Sequence, residues 1–194
     1  ALRMLDRSVS RLHNIIADLL DLSKTREPSP APTRLPDILD ELHEQLNARC
    51  AEHKVQLELA SAADLPALML EEDRLFRAIM NLADNALDVM PGGGRLEIGF
   101  TWTPDPVEAE AGRHGWLGCR VRDTGPGVPD SEKAHIFNAF YSTKGSRGTG
   151  LGLAMVQKFA TESRGRVTVT DAEGGGAVFL IELPAREAGP PCGA

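Results

Sequence analysis

Three short segments, in a fixed order along a 194-residue chain, carry side chains suited to holding a phosphorylated ligand. In Asn81-Leu-Ala-Asp-Asn85 two amides stand four residues apart, which puts them on one face of a helix. A side-chain amide oxygen is a hard, neutral ligand for Mg²⁺, an ion that keeps several waters and phosphate oxygens around it. A buried Asn pair also caps or locks helices. In Asp123-Thr-Gly-Pro-Gly127 a carboxylate precedes Gly125 and Gly127, which let the backbone come close to a ligand. That carboxylate can accept a hydrogen bond from an exocyclic amine such as that of adenine. A plain turn after a strand is also rich in Asp and Gly. In Gly148-Thr-Gly-Leu-Gly-Leu153 the glycines at 148, 150 and 152 run into the apolar Leu153-Ala-Met-Val156, which marks the start of a helix. The N–H groups and dipole at such a start form an anion site, and Lys144 and Arg147 just upstream can reach phosphate oxygens. Taken together, a metal ligand, an adenine-reading acid and a phosphate cradle make an ATP site.

Two other nucleotide-binding patterns fail. No Gly-Lys-Ser/Thr follows the glycines, so this is not a Walker P-loop. The glycine turn also comes late, with no βαβ unit and distal acid around it, which excludes a Rossmann reading.

The elements that must hold these residues are legible from periodicity. Leu2, Leu5, Val9, Leu12, Ile16 and Leu19 step by three and four and define one long amphipathic helix over 2–23. Ile15, Leu20 and Leu22 widen its stripe toward what a four-helix bundle buries. Glu27-Pro-Ser-Pro-Ala-Pro32 then reads as a stiff linker. A second amphipathic helix covers 34–50, with Leu35, Ile38, Leu39, Leu42 and Leu46 on one side. Strands are expected at 55–59, 68–70, 95–103 and 116–123, with a polar loop over 104–115. A long helix over 71–90 carries both asparagines and ends at Pro91-Gly-Gly-Gly94. A helix over 150–163 follows the last glycines, and a hairpin of 166–170 with 177–183 closes the chain. Helices and mostly antiparallel strands in this mix predict an α/β (α+β) two-layer sandwich. The expected division is a helix at 1–27, the linker at 28–33, the nucleotide-binding domain at 34–186 and a flexible tail at 187–194.

Composition narrows the class. A net charge of -7 argues against a nucleic-acid surface. No stretch is apolar enough for a bilayer span, and the start of the chain has no signal-peptide layout; a cytoplasmic location is expected for this soluble portion, with the full-length protein either membrane-attached or cytosolic. Cys50, Cys119 and Cys192 are scattered and lack CxxC spacing, which disfavours disulfides or zinc.

The order of Asn box, Asp-x-Gly-x-Gly, Phe137/Phe140 and Gly-Thr-Gly-Leu-Gly-Leu resembles the catalytic, ATP-binding domain of bacterial sensor histidine kinases. These kinases belong with gyrase, the heat-shock chaperone ATPase and the mismatch-repair ATPase in the GHKL superfamily and share its Bergerat fold. Residues 11–23, Arg-Leu-His-Asn-Ile-Ile-Ala-Asp-Leu-Leu-Asp-Leu-Ser, look like the second helix of the family's dimerisation and phosphotransfer domain. The stretch Phe140-Tyr-Ser-Thr-Lys144, with a short basic segment after it, resembles the nitrogen-regulation type.

The resemblance implies Asn85 as Mg²⁺ ligand, Asn81 near the phosphates, and Asp123 on the adenine amine with Gly125 and Gly127 shaping the pocket. It implies that Phe137 and Phe140 anchor a lid over 141–147, and that Gly148, Thr149, Gly150, Leu151, Gly152 and Leu153 close on the triphosphate. Lys144 and Arg147 in that lid would touch phosphate, with Asn81, Asn85 and Lys144 as the catalytic set. Hydrolysing members of the superfamily place a Glu where Asn81 stands, as general base for water; Asn cannot do that. Kinase is therefore favoured over ATPase. The partners implied are ATP, an acceptor-histidine helix, a response-regulator receiver domain and a second copy through residues 2–23.

The family's acceptor motif, a His followed by an acid and then a Pro, does not occur in the chain. His13 reads as a solvated helix residue, and the acceptor helix is expected to precede Ala1. Asp88 stands where many kinases have Lys, and Ala177 where a Thr is usual near adenine. Three other readings use the same motifs: a GHKL ATPase, a serine kinase, and a non-catalytic nucleotide-binding or assembly module.

Overall fold

The computed structural model describes residues 27–60, 65–105, 114–142 and 149–189. The expected helix over 2–23, His13, most of the 104–115 loop, Lys144, Arg147, Gly148 and Cys192 lie outside the described residues.

Strand β1 (Ala31–Thr33) leads into helix α1 (Leu35–Glu52), with Pro36 in its first turn, where no intrahelical N–H bond is lost. Lys54, with φ of 57°, turns the chain out of α1 into β2 (Val55–Leu59). β3 (Leu68–Leu70) precedes α2 (Glu72–Val89), whose buried Leu75, Ala78, Ile79, Leu82, Ala83, Ala86 and Leu87 repeat at helical spacing. Long strands β4 (Gly94–Pro104) and β5 (His114–Asp123) follow, then a single turn of helix α3 (Asp130–Lys133). Helix α4 (Gly152–Glu162) and the strands β6 (Arg166–Asp171) and β7 (Ala177–Arg186) complete the chain.

Five strands form a sheet in the order β2-β4-β5-β7-β6. β2 runs parallel to β4, and every other pairing is antiparallel. Alternation along the strands sorts the two faces. Leu96, Ile98 and Phe100 of β4, Leu117, Cys119 and Val121 of β5, and Phe179, Ile181 and Leu183 of β7 join one apolar cluster with the buried faces of α1, α2 and α4. Their neighbours Glu97, Arg120, Arg122 and Glu182 sit on the opposite, uncovered face, where Glu97 pairs with Arg95, Arg120 and Arg122. The result is the two-layer sandwich, helices on one side of the sheet. Burial in this core pushes the Cys119 thiol up to about 12. Among the described residues no helix is long and apolar enough to cross a membrane.

Two boundaries differ from the sequence reading. The stretch read as linker over 28–33 gives its last three residues to β1, which pairs antiparallel with β3, Pro32 opposite Met69. A proline is tolerated there because β1 lies at the edge and its missing N–H breaks no ladder bond. Thr33 is 1% exposed, so the strand belongs to the domain rather than to a spacer. The tail read as starting at 187 is also engaged at its root. Glu187 bridges Leu68, and the Ala188 N–H donates to the Ala67 carbonyl at 2.7 Å.

Candidate nucleotide site

A cavity of about 320 Å³ opens between α2, the end of β5 and the start of α4. From α2 it is lined by Asn81, Asp84, Asn85 and Asp88, which fall at i, i+3, i+4 and i+7 on one face. The spacing that drives Leu82 and Ala86 into the core turns these polar side chains toward the opening. Asp84 is held by an ion pair with Arg49, which ties α1 to the wall of the cavity.

At the far end, β5 delivers Asp123 into the cavity, 4% exposed. Its Oδ1 accepts hydrogen bonds from the N–H of Gly125 at 2.8 Å and of Ala177 at 3.3 Å. Burial pushes the carboxyl above its usual value, and the two backbone donors pull it partly back. Both bonds go to Oδ1, so the carboxylate is oriented with Oδ2 left for a ligand donor. The strand carrying Ala177 can come this close because residue 176 is glycine; a Cβ there would lie 1.9 Å from the Asp123 carbonyl oxygen. Around this end the lining is apolar, with Val128, Pro129, Ile136, Ala177 and Phe179, as a buried purine requires.

Thr149, Gly150, Gly152 and Leu153 form the third wall. Gly150 has φ of 66°, and its carbonyl accepts the Phe140 N–H at 2.8 Å. A Cβ on Gly150 would meet the Phe140 backbone at 2.5 Å, so glycine is required where the two ends of the 141–149 segment close on each other.

The cavity thus brings together Asn81, Asn85, Asp123, Gly127, Thr149, Gly150, Gly152 and Leu153 of the expected set. Gly125 stands behind the carboxylate it orients. Leu151 is fully buried, in the core rather than the cavity. Phe137 is buried outside the lining, its ring edge-on to that of the lining residue Phe179, with centroids 6.4 Å apart. Phe140 departs from its expected place: its side chain is 69% exposed, and the connection it makes at the site is through its backbone. Asp84, Glu132, Ile136, Tyr141 and Ser142 also line the cavity; Asp84 falls within the asparagine segment and Tyr141 and Ser142 within the expected lid without a role of their own, and no motif marked Glu132 or Ile136. Asp84 was within reach of the sequence, three residues beyond Asn81 on the same helix face.

The residues present fit a Mg²⁺·nucleotide rather than a caged metal. Among the described residues no three His, Cys, Asp or Glu side chains converge on an ion. An ion there would take its other ligands from phosphate and water, which is the habit of Mg²⁺. No histidine lines the cavity among the described residues.

Comparison with known proteins agrees with this geometry. Residues 70–187 match the family described as histidine kinase-, DNA gyrase B- and HSP90-like ATPase. Sporulation kinase E of Bacillus subtilis is 30% identical over 179 residues, 92% of this chain and 23% of that protein. Sensor histidine kinase RppB of Synechocystis is 31% identical over 193 residues, 94% of this chain and 40% of that protein. The crystal structure of full-length ShkA in complex with AMPPNP superposes with a TM-score of 0.82 at 28% identity, covering 97% of this chain and 39% of ShkA. The chain therefore spans less than half the length of these relatives. Its motifs, its sandwich and its cavity agree with the family match, and the chain belongs to the histidine kinase-, DNA gyrase B- and HSP90-like ATPase family.

Proposed function

We propose that this chain binds Mg²⁺·ATP in the cavity and delivers the γ-phosphoryl group to a histidine on a helix outside the described residues. The observation that carries this reading is the convergence of Asn81, Asn85, Asp123 and the 149–153 turn on one cavity, which no histidine lines among the described residues. Asp123 receives the adenine amine through Oδ2, and the apolar end around Phe179 takes the ring. Asn85 offers its amide oxygen to the ion, and Asn81 faces the phosphates beside Gly152. The turn at 149–153 presents N–H groups to the triphosphate, with Lys144 and Arg147 as the cationic side chains that neutralise it. When bound, Mg²⁺, which Asn85 would help to hold, would neutralise charge developing on the phosphates; positioning and electrostatics are most of what phosphoryl transfer asks of a protein.

Asn at 81 supplies no general base for water, which favours transfer over hydrolysis. The receiving histidine passes the phosphoryl group to a response-regulator aspartate, and Phe140–Lys144 supports the nitrogen-regulation type. Residues 2–23 would pair with a second copy or with the acceptor helix. The test is phosphoryl transfer from radiolabelled Mg²⁺·ATP to a supplied dimerisation and phosphotransfer domain. Wild type should label it, and Asn85→Ala should lose transfer by about a hundredfold or more. Steady phosphate release with no label on the acceptor would contradict the reading.

A further inference from the structure

The two helices that carry the phosphate end of the cavity are clamped together at a point remote from it. α2 and α4 run antiparallel: Asn81 faces Gly152 near the cavity, where a Cβ on Gly152 would lie 3.6 Å from Asn81 Oδ1. Two turns earlier on the same face of α2, about 10 Å along its axis, Arg74 reaches the far end of α4 and pairs with Glu162. Its guanidinium also donates to Glu71 at 3.1 Å and lies 5.2 Å from the centre of the Phe159 ring. Glu162 takes a second cation, Lys158, at 3.4 Å. Arg74, Glu71, Glu162 and Lys158 are each between 14% and 22% exposed, so the pairs are largely shielded from solvent. Glu71 has one more partner: its Oε1 accepts the Ser29 N–H at 3.3 Å, just before β1.

We propose that Arg74 is a positioning residue for the nucleotide site. It sets the register of α4 on α2, and so the spacing between the two asparagines and the 149–153 turn. Through Glu71 the same clamp ties that spacing to the strand by which the chain enters the domain. A planar guanidinium can hold two carboxylates and a ring face at once; a lysine cannot. The inference rests on the reading that Asn85 and the 149–153 turn handle the triphosphate.

The consequence is a split between two ligands. Asp123, Ala177 and Phe179, which receive the base, sit on the sheet, so a shift of α4 disturbs the phosphates first. Calorimetric titration of the 194-residue chain with Mg²⁺·ATP and with adenosine measures both. R74M should weaken Mg²⁺·ATP on the order of ten- to a hundredfold, while adenosine affinity moves less than about twofold. E162Q, which keeps the Arg74–Glu71 pair, should shift Mg²⁺·ATP in the same direction by less, and it decides the matter if R74M does not fold. The exchanged pair R74E/E162R, in which an arginine again faces Glu71, should recover most of the loss. Equal losses for both ligands, or unchanged Mg²⁺·ATP binding in both single variants beside a binding wild type, overturns the inference alone. A wild-type chain that binds neither ligand overturns the nucleotide reading and the inference with it.

Discussion

Asp123 does two things that pull against each other. In the proposed role it presents an ionised oxygen to a ligand, yet it sits 4% exposed at the end of a strand, where burial favours the neutral acid. The N–H groups of Gly125 and Ala177 offset part of that cost. The sign of the linkage follows. A carboxyl whose folded value lies above its ordinary 3.8 contributes stability that is present below that ordinary value and lost as pH rises through the folded one. Without nucleotide, wild type should therefore gain stability relative to Asp123→Asn as pH falls from 7 to 4. Urea midpoints of both proteins across that range measure it, and a gap that is flat or reversed contradicts the account. The place of this residue in the cavity was legible because Asp, Gly and Gly occur at fixed spacing. Ala177 was placed near the base only through the family resemblance, since it reaches Asp123 across 54 residues through pairing of β5 with β7. Phe140 shows the opposite limit: its aromatic type drew attention to the ring, but the backbone makes the contact.

At the level of elements, one helix does most of the work. α2 turns one face to the core and another to the cavity, so packing of Leu82 and placement of Asn81 and Asn85 are the same event. Leu82→Ala removes a side chain that is 1% exposed and should cost about 2–5 kcal/mol of unfolding free energy, read from urea denaturation. A loss below about 1 kcal/mol would place the residue outside a packed core. Periodicity revealed this helix because its apolar repeat is unbroken and its end is marked by Pro91 and Gly92–Gly94. It missed β1 for an equally physical reason. Three alternating prolines advertise a spacer, yet Thr33 is buried and Pro32 needs no donor at a sheet edge. The engagement of Glu187 and Ala188 with the start of β3 carries no local signal at all, because the partners lie some 120 residues upstream. Both corrections fall on the same small sheet, which brings the entry to the domain and its exit together.

As a whole, the described residues build a frame around the cavity, and the proposed reaction divides its chemistry between that frame and an acceptor it meets. The frame supplies an oriented carboxylate, a pair of amides and a turn of N–H groups; the cavity lining contains no nucleophilic imidazole among the described residues. The Arg74 clamp and the Asp84–Arg49 pair act at this scale too, since each joins a site-bearing helix to another part of the frame. All of this presupposes that a nucleotide sits with its base on Asp123. The most direct test is calorimetric titration of Mg²⁺·ATP into the wild-type chain and into Asp123→Ala. Wild type should bind one nucleotide per chain saturably, and the variant should lose affinity on the order of a hundredfold. Equal affinity in the two proteins would contradict the account.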